Sequence, residues 1–373
     1  MKIAFIGLKG IPGSFTGIET YVEEIGSRLA GRHELWAYCR PHYVPRSSEI
    51  ETKGIKRIWL PSINTKHLDA SVHSLISTLH STFKGFDIYH FQALGPSAFS
   101  IFPRLKRSKI VVTVHGLDWA RAKWGKFARL ALRTAERAMV KFAGAVIVVS
   151  RTLEKHYLDT YGVKTFYIPN GVYEPKPRGT EALLCLNVEP KFYLLFMARL
   201  TPEKGAHLLI EAFRNVKTDA KLVVEGTYQA GERWYYEKLK ALSENDPRII
   251  FAGWVSGELK DALLQHALAF VQPSTLEGLS IGLLEAAASG ALCLASDIPE
   301  NKEVLESEDR SYQFFFKNGD VKDLRFKIEE ILEFSEHERK KIAAESKEHV
   351  LSKFNWDVAA QKTEAVYNNL LNR

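Results

Sequence analysis

The sequence predicts two α/β domains, each built on a parallel β-sheet with helices on both faces. Short apolar runs typical of buried strands alternate along the chain with longer amphipathic stretches typical of helices. Residues 173–189 break this alternation with two prolines and a glycine, and the 373 residues are enough for two cores of ordinary size. We therefore predict domains over residues 1–175 and 176–355, followed by a terminal helix over residues 356–373.

The first strand is predicted over residues 2–7, where a single charge precedes an apolar run. A loop rich in glycine follows, and it includes Gly13 and Gly17. Its spacing is not that of the G-x-G-x-x-G dinucleotide fingerprint. Thr16 and Glu19 have the spacing of a capping box, so the first helix is expected to begin there.

A second informative strand covers residues 110–114 and releases His115 into a glycine turn that also contains Asp118. A histidine after a strand is most often structural, so this position alone does not establish a role. Asp118 could orient the ring or meet a substrate. Further along, residues 145–150 read as another strand that ends in a small polar residue.

The second predicted domain opens with an apolar strand over residues 192–198, which runs directly into a turn with Arg199 and Lys204. Two cations so spaced across a turn can converge on one pyrophosphate, the arginine through its fork and the lysine as a point charge. The alternative is a pair of solvated surface charges.

A later strand, predicted over residues 267–271, is followed by a loop with Glu277 and by a helix that opens near Gly282. Free N–H groups at such a helix start suit a diphosphate. Glu285, one turn into the helix, could accept hydrogen bonds from two vicinal hydroxyls of a ribose. The alternative is an acidic helix start that only complements the helix dipole. All these polar groups follow strand ends, which is where parallel sheets bind ligands.

Together, these stretches resemble the retaining glycosyltransferases of family four. Glu277 and Glu285 match the family's E-x7-E motif, Arg199 and Lys204 match its R-x4-K pair, and residues 167–172 are similar to its exit from the first domain. The resemblance implies the GT-B fold, in which two Rossmann-like domains face a central cleft and a C-terminal helix crosses back to the first domain. Residues 7–13 and 115–119 also look like the matching segments of bacterial glucosyl- and rhamnosyltransferases of surface-polysaccharide assembly.

The resemblance also implies roles for individual residues. The catalytic set would be His115, Glu277, Arg199 and Lys204. The donor would be bound by Gly13, Thr16, Gly17, Arg199, Lys204, Val255, Leu279, Ser280, Ile281 and Glu285. The glycine loop of this chain has Thr16-Gly17 where many family members have two adjacent glycines.

The activity that this implies is transfer of a sugar from a nucleotide diphosphate, with retention of anomeric configuration, by front-face attack. UDP-sugars such as UDP-glucose are the expected donors, and a dTDP-sugar such as dTDP-rhamnose remains an alternative. No metal or other cofactor is expected, because the sequence has no D-x-D after an apolar strand and no histidine cluster with ligand spacing. A GT-B-fold 2-epimerase acting on a UDP-amino sugar is a second alternative.

Positive charge is concentrated in residues 104–141, which hold 11 basic and two acidic residues. Aromatic and aliphatic residues interleave with Arg121, Lys123, Lys126 and Arg129, a pattern that suits an anionic membrane surface. A solvated face and a non-catalytic nucleic-acid-binding protein are the alternatives. We favour peripheral membrane contact and a glycan or lipid-linked acceptor bound by the first domain, with no nucleic acid.

Three isolated cysteines argue against a disulfide framework and are expected to be free buried thiols. No apolar run approaches the roughly 20 residues that span a bilayer, and the N-terminus does not resemble a signal peptide. We therefore expect a cytoplasmic protein, peripheral on the inner face of the cell membrane.

Overall fold

The computed structural model describes residues 1–13, 16–65, 68–121, 124–228, 231–306 and 314–372. The chain forms two compact units. Unit 1 comprises Met1–Gly171 and Trp356–Arg373, and unit 2 comprises Val172–Asn355. The chain therefore crosses between the units twice, after Gly171 and after Asn355.

Unit 1 is built on an eight-stranded sheet with the order β3-β4-β2-β1-β5-β6-β7-β8. Its strands are β1 Lys2–Ile6, β2 Glu34–Cys39, β3 Glu51–Thr52, β4 Ile55–Trp59, β5 Ile88–Gln92, β6 Lys109–Val114, β7 Ala145–Val148 and β8 Phe166–Tyr167. All neighbours pair in parallel except the short edge strand β3, which is antiparallel to β4. The central strands are buried along almost their whole length because helices cover both faces of the sheet.

The helices of unit 1 connect these strands. They are α1 Gly17–Leu29, α2 Leu68–Lys84, α3 Leu94–Ser97, α4 Ile101–Leu105, α5 Lys126–Phe142 and α6 Arg151–Tyr161, with 3₁₀ turns at Ala98–Ser100 and Asp118–Ala120.

Unit 2 is built on a six-stranded, fully parallel sheet with the order β11-β10-β9-β12-β13-β14. The strands are β9 Tyr193–Met197, β10 Lys221–Glu225, β11 Ile249–Gly253, β12 Ala269–Gln272, β13 Cys293–Ser296 and β14 Phe315–Phe316. The helices are α7 Ala206–Arg214, α8 Arg233–Leu242, α9 Gly257–His266, α10 Ile281–Ala288, α11 Pro299–Leu305, α12 Val321–Glu333 and α13 Glu336–Lys353, with 3₁₀ turns at Glu181–Leu186 and Pro202–Lys204. This sheet has its own core of buried aliphatic and aromatic side chains.

The last helix, α14 (Trp356–Leu371), returns to unit 1 and packs on α1. Arg32 and His33, just beyond α1, bind the carboxylate of Glu364 at 2.9 and 2.6 Å. Trp356 packs on Gly171. A Cβ at position 171 would stand 2.3 Å from the backbone nitrogen of Trp356, so no larger side chain fits there. The predicted α/β architecture of two parallel-sheet domains with a returning C-terminal helix is confirmed.

Two local expectations were wrong. Thr16 caps α1 as predicted, but its hydroxyl accepts from the N–H of Ile18, and Glu19 binds the Thr16 hydroxyl and the N–H of Lys9. The reciprocal capping box is therefore not formed, because the glycine loop takes the carboxylate of Glu19. Cys185 is exposed on a 3₁₀ turn, whereas the other two cysteines are buried as expected.

Among the described helices, none is long and apolar enough to cross a membrane. The described residues also contain no group of three or more His, Cys, Asp or Glu side chains placed to hold a metal ion.

Candidate active site

Lys204 and Glu277 form the centre of the predicted site in unit 2. The ammonium nitrogen of Lys204 lies 2.6 and 2.7 Å from the two carboxylate oxygens of Glu277, and both side chains are largely buried. Lys204 ends the 3₁₀ turn after β9, and Glu277 lies in the loop after the neighbouring strand β12. The structure therefore joins one residue of the predicted cation pair to one residue of the predicted acid pair.

Gln272, at the end of β12, holds the Glu277 loop in place. Its amide nitrogen lies 2.8 Å from Glu277 Oε1 and 3.2 Å from the hydroxyl of Ser280. That hydroxyl in turn accepts from the N–H of Leu283 at 3.2 Å and caps α10. Sequence reasoning missed Gln272, although its place at a strand end was a usable signal.

Gly205 brings the Lys204 turn against the loop after β12. Its φ is +75°, and a Cβ there would stand 2.0 Å from the carbonyl oxygen of Pro273. The N–H of Thr275 also donates to the carbonyl of Glu203 at 2.9 Å. The ion pair between Lys204 and Glu277 is therefore set on two loops that are fixed to each other.

Glu285 lies in α10 and has its own cation. Lys260 of α9 lies 2.7 Å from Glu285 Oε1, and both side chains are about a third exposed. Sequence reasoning missed Lys260, because nothing in its local pattern separates it from other surface lysines. Leu279 is buried in the loop before α10, and Ile281 is the first residue of that helix.

Val255 is buried after β11, and its N–H donates to the carboxylate of Glu225 at 3.1 Å. Glu225 ends β10, and burial raises the pKa of its carboxyl group to about 7. Its oxygen accepts from the N–H of Val255, one of the residues expected to bind the donor. Arg199 lies half-buried in the turn after β9. The residues predicted in unit 2 thus gather at the carboxyl edge of its sheet.

His115 follows β6 in unit 1 and is held by a neighbouring strand end. Its Nε2 lies 2.8 Å from Oε1 of Gln92, the last residue of β5. Although part of the residue reaches the surface, burial of the ring lowers the pKa of His115 to about 3, with a further contribution from Arg121. Asp118 pairs with Arg121 at 3.4 Å. Gln92, which sequence reasoning missed, is thus the residue that binds the His115 ring.

The glycine loop of unit 1 is held by α1. A Cβ at Gly13 would stand 2.0 Å from Cβ of Glu19, and the N–H of Gly13 donates to Glu23. Thr16 and Gly17 form the N-cap and first residue of the helix. Position 13 therefore requires glycine because the loop backbone lies directly against α1.

Much of the predicted basic patch lies on the outer face of α5. Lys126 and Arg129 are exposed, and between and beside them Phe127 and Leu130 are 91% and 61% exposed. Arg121 lies apart from this face, half-buried in the turn after β6, and Lys123 falls outside the described residues.

The inner face of α5 carries a buried carboxylate. Glu136 accepts hydrogen bonds at 2.9 and 3.0 Å from Trp119 and Tyr157, and further contacts come from His156 and Tyr161. This helix is therefore fixed to α6 and to the turn that contains Asp118.

Two family models match the chain in succession. The model described as Glycosyltransferase Family 4 matches residues 15–174, and the model described as Glycosyl transferases group 1 matches residues 186–349. Between them, the matches cover most of both units. The chain belongs to glycosyltransferase family four.

One curated relative with a named activity is a lipopolysaccharide 1,2-N-acetylglucosaminetransferase of Salmonella typhimurium. It is 27% identical over 241 residues, which are 60% of this chain and 62% of the relative. Another curated relative matches over 44% of its own length. The chain thus spans about half to just under two thirds of these two relatives.

Solved structures show the same GT-B fold. A sucrose-phosphate synthase from Thermosynechococcus elongatus has a TM-score of 0.84 at 20% identity, over 99% of both chains. HepE of Anabaena, in complex with UDP and glucose, has a TM-score of 0.81 at 19% identity, over 99% of this chain and 100% of that one. At such identities the likeness concerns the fold alone.

Proposed function

We propose that the chain transfers a sugar from a nucleotide diphosphate, most readily a UDP-sugar such as UDP-glucose, to a lipid-linked or polysaccharide-precursor acceptor. The single observation that carries this proposal is the cluster at the carboxyl edge of the unit 2 sheet. Lys204 contacts Glu277 there, next to the helix start that leads to Glu285. A lysine ammonium group beside a helix N-terminus suits a diphosphate ligand.

The departing nucleotide diphosphate needs its charge neutralised, since an uncompensated diphosphate is a poor leaving group. Arg199 and Lys204 supply that charge in the proposal. Glu277 keeps Lys204 in place and contacts the transferred sugar, while Glu285 accepts from ribose hydroxyls. His115 contacts the sugar as a neutral ring, which fits its lowered pKa.

No metal takes part in the proposed reaction, because Arg199 and Lys204 take the role that Mg²⁺ has in other sugar-nucleotide enzymes. Retention of configuration by front-face attack completes the proposal. It is supported by family membership.

Two relatives support the choice of donor and acceptor. HepE is known with UDP and glucose, and the Salmonella relative is named for transfer to lipopolysaccharide. For this chain, a UDP-sugar and a lipid-linked acceptor remain parts of the proposal.

Membrane contact through the outer face of α5 is the second part of the proposal. Exposed Phe127 and Leu130 would enter the interface, and neighbouring cations such as Arg129 would meet anionic headgroups. Each such cation contributes on the order of 1 kcal/mol near an anionic surface. In this proposal the chain is peripheral on the inner face of the cell membrane, whose anionic lipids would meet these cations.

The decisive experiment combines binding and turnover. The purified chain is screened by thermal shift against UDP, GDP and dTDP, and then assayed for nucleotide release from the matching sugars with and without EDTA. We expect the largest stabilisation with UDP, release from UDP-glucose that survives EDTA, and a product that keeps the donor's anomeric configuration by NMR. If no nucleotide stabilises the chain and none is released, the proposed function is wrong. If a nucleotide sugar is converted to its 2-epimer in a reaction without acceptor, the chain is the epimerase of the alternative hypothesis.

A further inference from the structure

Gln92 lies at the end of β5, beside the strand that leads to His115. It is fully buried and pairs in the sheet with Thr113, so its side chain is fixed by the strand register. Its Oε1 lies 2.8 Å from His115 Nε2. The contact therefore joins two adjacent strand ends and does not depend on a surface side chain.

This contact determines which ring nitrogen of His115 carries a proton. Burial lowers the pKa of His115 to about 3, so the ring is neutral near pH 7, with one donor and one acceptor nitrogen. An amide oxygen only accepts hydrogen bonds, so Nε2 is the protonated nitrogen and Nδ1 is the acceptor. Within the described part of the chain, Nδ1 has no hydrogen-bond partner.

One buried ring packs against His115, and hydrogen bonds connect that ring to β6, β5 and α14 in turn. The edge of Tyr21, from α1, meets the ring of His115 with centroids 4.9 Å apart. Thr113 Oγ1 lies 3.4 Å from the Tyr21 hydroxyl and 2.7 Å from His90 Nε2, and the hydroxyl of Tyr367 in α14 lies 2.7 Å from His90 Nδ1.

The electrostatic surroundings keep the ring neutral. Arg121, in the turn after β6, disfavours a protonated His115. His90 of β5 is itself neutral, because burial lowers its pKa to about 3. Tyr21 is uncharged, since burial raises the pKa of its hydroxyl.

Gln92 has a second polar atom that the fold does not use. Among the described residues, its buried amide nitrogen has no hydrogen-bond partner. A buried donor without a partner costs free energy, which a ligand oxygen would recover. The same side chain therefore orients His115 and presents an amide next to it, an arrangement suited to a hydroxyl-rich ligand.

We propose that Gln92 is a positioning residue that holds the proton of His115 on Nε2, so that Nδ1 accepts a hydrogen bond from a hydroxyl of the sugar substrate. The inference rests on the proposed function for the identity of the substrate. The tautomer itself can be measured without any turnover.

The first test is ¹⁵N NMR of the histidine rings, with the His115 signals assigned from a His115→Asn variant. We expect His115 to carry its proton on Nε2 in the unchanged chain and to become a mixture of tautomers in Gln92→Met. A proton on Nδ1 in the unchanged chain, or an unchanged signal in Gln92→Met, would overturn the proposal. Neither result depends on whether the chain transfers sugars, so failure here and failure of the proposed function are distinguishable.

The second test uses Gln92→Glu, which places a carboxylate beside His115 and raises its pKa. Below that new pKa the ring is an imidazolium, and Nδ1 donates where it should accept. We expect kcat/KM for transfer by this variant to fall about tenfold or more from pH 8 to pH 5.5, compared with any change in the unchanged chain over the same range. A tenfold fall corresponds to the loss of roughly one hydrogen bond. UDP binding should not change.

The matched control is Gln361→Glu, which adds the same charge at an exposed position of α14. Its pH profile should follow that of the unchanged chain. If Gln92→Glu folds, shows a raised His115 pKa by NMR, and still has the profile of the control, the positioning role is excluded.

Discussion

Lys204 and Glu277 form an ion pair in which the ammonium group contacts both carboxylate oxygens, at 2.6 and 2.7 Å. The amide of Gln272 also donates to Oε1 of Glu277, at 2.8 Å. Because both partners are largely buried, removing one leaves the other without compensation, which costs several kcal/mol. The pair therefore stabilises these loops. Experiments on Lys204 and Glu277 must separate this effect on folding from any effect on ligand binding or catalysis.

Lys204→Ala should lower kcat for sugar transfer by about 100-fold or more, because it removes a charge that stabilises the leaving diphosphate. Glu277→Gln should lower kcat by a similar factor. It keeps a neutral partner for Gln272 and so disturbs the loop less. Steady-state kinetics with UDP-glucose measures both effects, and circular dichroism checks that the variants are folded.

The control for these variants is Lys340→Ala, which removes an exposed lysine paired with Glu336 in α13. Exposed pairs contribute little, so this variant should keep the rate of the unchanged chain. Rates for Lys204→Ala within threefold of that control would remove Lys204 from the proposed mechanism.

Gly205→Ala should be much more destabilising than Gly290→Ala, although the two glycines have almost the same φ, +75° and +74°. At Gly290 an added Cβ meets nothing within 4 Å, so only the strained backbone counts. At Gly205 the same atom collides with the carbonyl of Pro273, and relieving the collision must move the Lys204 turn. We expect a further loss of at least about 2 kcal/mol, seen as a lower thermal midpoint. Equal midpoints for the two variants would contradict the contact.

The sequence was sufficient to predict the strand ends and the residues that follow them. Arg199, Glu277 and His115 were found because each one follows an apolar run whose end is visible locally. Parallel sheets bind ligands at that edge, so order along the chain was enough to predict where these residues lie in their sheets. Whether they bind a donor is a matter for the experiments above.

The partners of these residues could not be predicted, because they are chosen by contacts between distant segments. Lys260 reaches Glu285 from a different helix, and Glu225 reaches Val255 from the neighbouring strand. The local pattern around each looks like an ordinary helix surface or strand end. For the same reason the capping box was wrong, since Glu19 has the right spacing but the loop backbone competes for its carboxylate.

Glu285→Gln should raise KM for the nucleotide sugar about tenfold with a smaller change in kcat, because contacts to ribose are made equally in the ground and transition states. Lys260→Met should have a weaker effect in the same direction, since Lys260 orients Glu285 at 2.7 Å. The matched control is Lys347→Met, which removes a lysine paired with Glu174 at 2.8 Å. A fall in kcat with KM unchanged would assign Glu285 to the chemical step.

Replacing Phe127 and Leu130 together with serine should weaken binding to vesicles that contain anionic lipid by at least about tenfold. Burying each side chain in the interface is worth up to about 1.5–3 kcal/mol, and partial immersion gives less. Phe326→Ser is the matched control, because Phe326 is a 60% exposed phenylalanine on a helix of unit 2. Co-sedimentation with anionic and neutral vesicles measures the effect. Equal binding of the unchanged chain to anionic and neutral vesicles would show that attraction to anionic headgroups does not contribute to membrane binding.

Glu225 makes the stability of unit 2 depend on pH. Burial raises the pKa of its carboxyl from 4.5 to about 7, so the folded chain keeps a proton that the unfolded chain loses between these values. The folded state then binds more protons, and its relative stability is highest below pH 4.5, falls as pH rises through the window and levels off above pH 7. The full effect is on the order of 3 kcal/mol.

Glu225→Gln removes this titration and keeps an oxygen that can accept from the N–H of Val255. Its thermal midpoint should therefore rise relative to the unchanged chain as pH goes from 5 to 8. Glu237→Gln, at an exposed position of α8, is the control and should follow the unchanged chain at every pH. If the Glu225→Gln and control curves stay parallel, the buried carboxyl ionises in the folded chain at its ordinary pKa. In that case the N–H of Val255 is bound by a full carboxylate, and a donor that used this N–H would have to compete with that charge.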